Sequence, residues 1–165
     1  MSEELLKWLR FAIDIEVKGL EFYKDCLSST RNARAMELFD FLVKAETGHK
    51  KALEGVLEGV SRGDKVKKDK SVQAFLKIEL KAPMFRKEEV KKITAPDARL
   101  TGMFNKAMEF EKQGIDLYTD LAGKEKDPLL KQLFRKLASD EEVHMKEIKD
   151  IGFFVFGVPP PDDYM

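Results

Sequence analysis

The chain has 165 residues, and its 30 Lys and Arg balance its 30 Asp and Glu, so the formal net charge is zero. No bulk field then favours nucleic acid or an anionic membrane surface. The length suits one domain with a sizeable core. The one cysteine, Cys26, has no intrachain partner, which excludes a disulfide framework and fits a reducing compartment. No apolar stretch approaches the roughly 20 residues of a membrane span. Met1-Ser2-Glu3-Glu4 lacks the apolar core of a signal peptide. The expected location is therefore cytoplasmic, with neither a membrane nor a nucleic acid as partner.

Residues 2–29 read as a helix that starts at Ser2 and two acidic residues. Leu5, Leu9, Ala12, Glu16, Leu20, Tyr23 and Leu27 recur at spacings of three and four, so Glu16 lies on the apolar face. Ser28-Ser29-Thr30 ends this helix, and Asn32 can cap a second over about 33–60. The second stripe runs Met36, Phe39, Val43 or Leu42, Glu46, His49, Leu53 and Val56. Again charged or polar residues interrupt an apolar seam.

Residues 61–70 are a solvated break rich in Lys and Asp, in which Arg62-Gly63-Asp64 is read as incidental. Short helices are expected near 71–80 and 85–92, with Pro83 between them. Pro96 suits the first turn of a third long helix, about 96–123, with Phe104, Ala107 or Met108, Glu111, Ile115 and Tyr118 in its stripe. Asp127-Pro128 starts a fourth, about 128–151, with Leu130, Phe134, Leu137, Glu141, His144 and Ile148 in its stripe. Gly152 is the expected stop. The tail, with three aromatic residues in four and three prolines, is expected to pack on the bundle or on a second subunit. The organisation is thus one domain over 1–165: a hairpin over 2–60, a crossover over 61–95, a hairpin over 96–152 and a tail over 153–165.

The two hairpins are a repeat. Phe11–Tyr23 aligns with Lys106–Tyr118 at an offset of 95, and the same offset carries Phe39 onto Phe134 and Leu42 onto Leu137. It also carries Glu46-Thr47-Gly48-His49 onto Glu141-Glu142-Val143-His144. The chain has only two histidines, and each follows a glutamate by three positions. Residues i and i+3 share a helix face, one turn apart. A carboxylate and an imidazole so placed can hold one metal ion, or one ion and half of another.

Four long helices with one long crossover predict an all-α fold, a four-helix bundle. Glu16, Glu46, His49, Glu111, Glu141 and His144 point into its core. Burying lone carboxylates costs several kcal/mol each even after relaxation. Two divalent cations compensate four carboxylates and two neutral imidazoles in formal charge. One Glu from each of two helices, with Glu-x-x-His from each of the other two, is the ligand arrangement of di-iron carboxylate bundles. A metal-free bundle with satisfied core histidines is the bland alternative. A mononuclear zinc site is disfavoured, because six inward ligands exceed a tetrahedral shell.

Through these residues the chain resembles the ferritin-like di-iron superfamily, and within it the rubrerythrin type. The Glu-x-x-Gly-x-x-Phe/Leu-Tyr helices and the two Glu-x-x-His helices carry the resemblance over about 11–56 and 106–151. It implies a ferritin-like bundle holding two Fe ions, with Mn or Zn as other possible occupants. Glu46 and Glu141 would bridge the ions, Glu16 and Glu111 would be terminal, and His49 and His144 would take one ion each. The ions would lie about 3.5–4 Å apart, as in other two-metal sites. The implied activity is that of an oxidoreductase reducing hydrogen peroxide or dioxygen, fed by an external electron donor for which a rubredoxin-like protein is the candidate. A ferroxidase or storage-like protein is the alternative, and a structural bundle that has merely kept its metals is a third. The resemblance implies a homodimer.

Two departures stand out. No paired Cys-x-x-Cys of a rubredoxin domain is present. Where rubrerythrins commonly carry an extra glutamate three residues after the third-helix ligand, this chain has Gly114. Gly19 and Gly114 each follow a ligand glutamate by one turn, and serve either close helix crossing or space for a small oxidant. Tyr23 and Tyr118 lie on the ligand face. They either hydrogen-bond ligand carboxylates, relay an electron, or fill the core. Asp140 either orients a histidine or sits on the surface, and Cys26 is read as packing.

Overall fold

The computed structural model describes residues 3–63, 70–82 and 98–158. Its described residues are helical, without strands: α1 (Glu3–Ser29), α2 (Ala33–Ser61), the short α3 (Lys70–Phe75), α4 (Ala98–Lys124) and α5 (Pro128–Asp150). A π-helical turn, Ile151–Val155, continues α5. The expected helix near 85–92, Pro83, Pro96 and the tail beyond 158 lie outside the described residues. The helix expected over 71–80 is confined to 70–75.

Local chemistry explains the ends. Glu3 and Glu4 occupy the first turn of α1, where carboxylates complement the helix dipole. Asn32 caps α2, its side-chain oxygen accepting from the amides of Arg34 and Ala35 at 2.9 and 3.2 Å. Asp127 does the same for α5, accepting from Leu129 and Leu130 at 2.9 and 3.1 Å, with Pro128 at the first helical position. Both caps follow tight turns, so α1 with α2 and α4 with α5 form antiparallel hairpins. These join face to face through α1 on α4 and α2 on α5.

Gly152 does not stop the last helix. It lies inside the π-helical turn, and a Cβ there would come within 2.8 Å of the Phe104 ring. The glycine is needed for close approach to α4. The turn of the chain comes at Gly157, whose φ of +65° is a left-handed conformation that suits glycine. Just before that turn Phe156 packs on Phe104, ring centroids 5.3 Å apart, while Phe153 remains exposed.

The core is two apolar clusters. One gathers Leu9, Leu53, Val56, Leu121, Leu130, Leu133, Phe134 and Leu137. The other gathers Tyr23, Leu38, Phe39, Leu42, Phe104, Met108, Ile148 and Phe156. Each long helix contributes to both, and between its two contributions stands its buried glutamate: Glu16, Glu46, Glu111 or Glu141. The bundle is therefore layered along its axis, apolar, polar, apolar. Met36, expected in the α2 stripe, is 42% exposed; Ala35 and Leu38 hold the inward positions. Leu42 rather than Val43 is buried, and Ala107 and Met108 both are. No helix among the described residues is long and apolar enough to cross a membrane.

Candidate metal centre

The polar layer brings together the six side chains that the sequence singles out. Donor atoms of Glu16, Glu46, His49 and Glu141 lie within 4.8 Å of one another, as do those of Glu46, Glu111, Glu141 and His144. All six residues are buried. The two groups share Glu46 and Glu141, the Glu-x-x-His glutamates of α2 and α5. The imidazole rings stack with centroids 5.4 Å apart and planes inclined by 19°.

The Nδ1 atoms of both rings face the carboxylates. His144 Nδ1 lies 3.0 Å from Glu141, 3.1 Å from Glu111 and 3.2 Å from Glu46. His49 Nδ1 lies 3.1 Å from Glu141, 3.3 Å from Glu46 and 3.6 Å from Glu16. Yet His49 Nδ1 makes no hydrogen bond to any described residue. A buried nitrogen ringed by three carboxylates without donating to them is what donors converging on a common cation produce. Buried polar atoms without partners are rare otherwise.

Protons can balance the cluster when cations do not. Burial, reinforced by Glu46, pushes Glu16 well above the usual carboxylate range; burial and Glu141 do the same to Glu111. Burial also pushes Glu46 upward, but Glu16 and the two imidazoles beside it outweigh burial and hold Glu46 low. Glu141 is pushed up by burial and Glu46, and the histidines outweigh both, holding it at about 2. Burial lowers both histidines, but Glu141 beside His49 and Glu111 beside His144 leave them well above the usual imidazole value. Two neutral carboxyls, two carboxylates and two imidazolium ions sum to zero. Metal taken up by these residues would displace protons, since ligation requires neutral imidazoles and deprotonated carboxylates.

The tyrosines cross between hairpins. Tyr23 of α1 donates to Glu111 of α4, and Tyr118 of α4 donates to Glu16 of α1. Burial raises both phenols well above their ordinary value, so each stays a protonated donor. Of the roles open at the sequence level, the structure places both hydroxyls on the carboxylates. Cys26 is buried packing, its thiol pushed up to about 12 by burial.

The two glycines part company. Both line a cavity of about 10 Å³ beside Glu16, Tyr23, Glu46, Glu111 and Glu141. A Cβ at Gly19 would meet nothing within 4 Å, whereas one at Gly114 would come 3.0 Å from Cγ of Glu141. Gly114 makes room for a carboxylate of the cluster; Gly19 leaves space open.

Asp140, for which a surface position was one expectation, is buried, 6% exposed. Its Oδ2 lies 3.3 Å from His49 Nε2, on the ring edge away from the carboxylates. Lys136 Nζ donates to both Asp140 oxygens at 2.9 Å. Phe75 of α3 meets the His49 ring edge-on at 5.8 Å, and Phe41 meets His144 edge-on at 5.6 Å. Sequence reasoning missed Lys136, Phe41 and Phe75. Lys136 precedes Asp140 by four residues on one helix, a spacing that could have flagged it. No sequence signal tied α3 to His49.

Comparison with known proteins leaves the centre to speak for itself: no protein family, curated protein or solved structure matches the chain.

Proposed function

We propose that this protein is a ferritin-like, rubrerythrin-type di-iron oxidoreductase that reduces hydrogen peroxide, or dioxygen, with electrons from an external donor. The observation that carries the reading is the pair of donor groups sharing Glu46 and Glu141. Belonging to both groups, these two would serve both ions. Glu16 and His49 would complete one ion's shell, and Glu111 and His144 the other's. Carboxylates and imidazoles suit Fe or Mn, and Zn can occupy such a set. When bound, two ferrous ions supply the two electrons that cleavage of a peroxide O–O bond requires.

The chain's own residues do the rest. Tyr23 and Tyr118 hold the terminal carboxylates in place through hydrogen bonds that cross the bundle. The cavity beside Gly19, about 10 Å³, has no room for an organic substrate. The apolar layers above and below keep bulk water from the carboxylates. Cys26 is buried and its thiol is held protonated, and an external donor of rubredoxin-like chemistry would return the electrons.

The test is to load the protein with Fe²⁺ without oxygen and mix it rapidly with hydrogen peroxide or with oxygen. Faster oxidation by peroxide is expected, with turnover only when a reductant is added. Faster oxidation by oxygen, with Fe³⁺ accumulating beyond two per chain, would instead establish the ferroxidase alternative.

A further inference from the structure

The repeat that builds the centre fails at two positions beside it. At the offset of 95, Asp140 corresponds to Ala45 and Lys136 to Phe41. His49 therefore has a carboxylate 3.3 Å behind its outer nitrogen, and that carboxylate is fixed by Lys136 through two bonds of 2.9 Å. His144 has the edge of Phe41 against its ring instead. Its outer nitrogen, Nε2, is fully buried and makes no hydrogen bond to any described residue. Everything facing the ions is paired across the repeat: four carboxylates, two Nδ1 atoms and two tyrosines. In residue identity the repeat breaks behind the histidines.

We infer that the two metal positions are unequal: the ion held by Glu16 and His49 binds first and stays, while the one held by Glu111 and His144 binds second and exchanges. The inference rests on the di-metal reading above and deepens it. A carboxylate accepting from the outer N–H of a ligating histidine fixes the ring and its tautomer and strengthens the Nδ1 lone pair as a donor. Losing such a partner typically costs about 10–100-fold in metal affinity. His49 has that partner, and His144 leaves an N–H unsatisfied in an apolar setting. Glu46 and Glu141 belong to both donor groups, so each would serve both ions.

Mn²⁺ alone is a suitable probe, titrated without oxygen into metal-free protein and followed by calorimetry and electron paramagnetic resonance. Two resolved steps are expected, separated by about 10–100-fold in Kd. The first equivalent should give an uncoupled Mn²⁺ spectrum and the second a spin-coupled pair. His144→Ala should leave the tight step alone, and His49→Ala only a weak one. Asp140→Asn, which keeps size and an acceptor but removes the charge, should weaken the tight step and draw the two together. Ala45→Asp should strengthen the weak step. Two ions bound in one unresolved step, or an Asp140→Asn isotherm identical to that of the wild type, would overturn the inference and leave the di-metal centre standing. Failure to bind Mn²⁺ at all would overturn both.

Discussion

Tyr23 and Tyr118 each reach across the bundle to a glutamate of the other hairpin, so a hydroxyl is a link between the two halves. Replacing either by Phe keeps the ring's packing and leaves a buried carboxyl oxygen without its donor. The expected cost is about 1–3 kcal/mol, measured by urea unfolding of the metal-free protein. Tyr23→Phe should act on the Glu111 side of the centre and Tyr118→Phe on the Glu16 side. The glycines offer a sharper contrast. Gly19→Ala adds a methyl group where nothing lies within 4 Å and removes a helix-interior glycine, so it should stabilise by up to about 1 kcal/mol. Gly114→Ala forces its methyl group against Glu141 and should lower both stability and metal affinity. Equal effects of the two substitutions on thermal unfolding and Mn²⁺ binding would contradict this reading.

At the scale of the helices, the layering of apolar and polar residues ties stability to the site. Phe134 is fully buried in one apolar cluster and stacks on Tyr118, centroids 6.5 Å apart. Phe134→Ala should cost about 3–5 kcal/mol. It should also loosen Tyr118 and hence Glu16, which a shift in metal affinity would reveal. Stripes at spacings of three and four made the inward positions of Glu16, Glu46, Glu111 and Glu141 legible, because a charged residue interrupting an apolar seam stands out. The same periodicity is blind to a shift of one residue, which is why Met36 was expected inside and Ala35 lies there instead. It is equally blind to contacts between helices. Asp140 flanks a ligand on α5, and only the approach of α2 brings His49 to it. Gly152 shows a third limit: a glycine after a helix reads as a stop, but here it serves the close packing of Phe104.

For the whole molecule, the protons and metal ions that can balance the centre compete, and the competition sets a pH dependence. Without metal, Glu16, Glu111, His49 and His144 all bind protons more tightly in the folded protein than in the unfolded chain. Their contribution to stability is present at low pH and is lost as pH rises, beginning above 4.5 for the carboxyls and 6.5 for the histidines. Glu46 and Glu141 are held low, so their contribution is lost only as pH falls below 4.5. The metal-free protein should therefore melt lower at about pH 8.5 than at about pH 6. Metal ligation requires the deprotonated forms and strengthens with pH. The gap in Tm between protein with excess Mn²⁺ and protein with chelator should widen over that interval. A gap that narrows would contradict the assignment of these groups.

The measurement closest to the central claim is a count of tightly bound ions. Metal-free protein is loaded with Fe²⁺ under anaerobic conditions, freed of excess metal and analysed for iron per chain, beside the Glu46→Ala/Glu141→Ala double variant. Wild type should retain two ions and melt higher than its metal-free form by mass action. The double variant, lacking both shared carboxylates, should lose the paired ions and the metal-dependent rise in Tm. Retention of two ions and the full rise by the double variant would place the metals elsewhere. Failure of the wild type to retain any iron would contradict the di-metal centre itself.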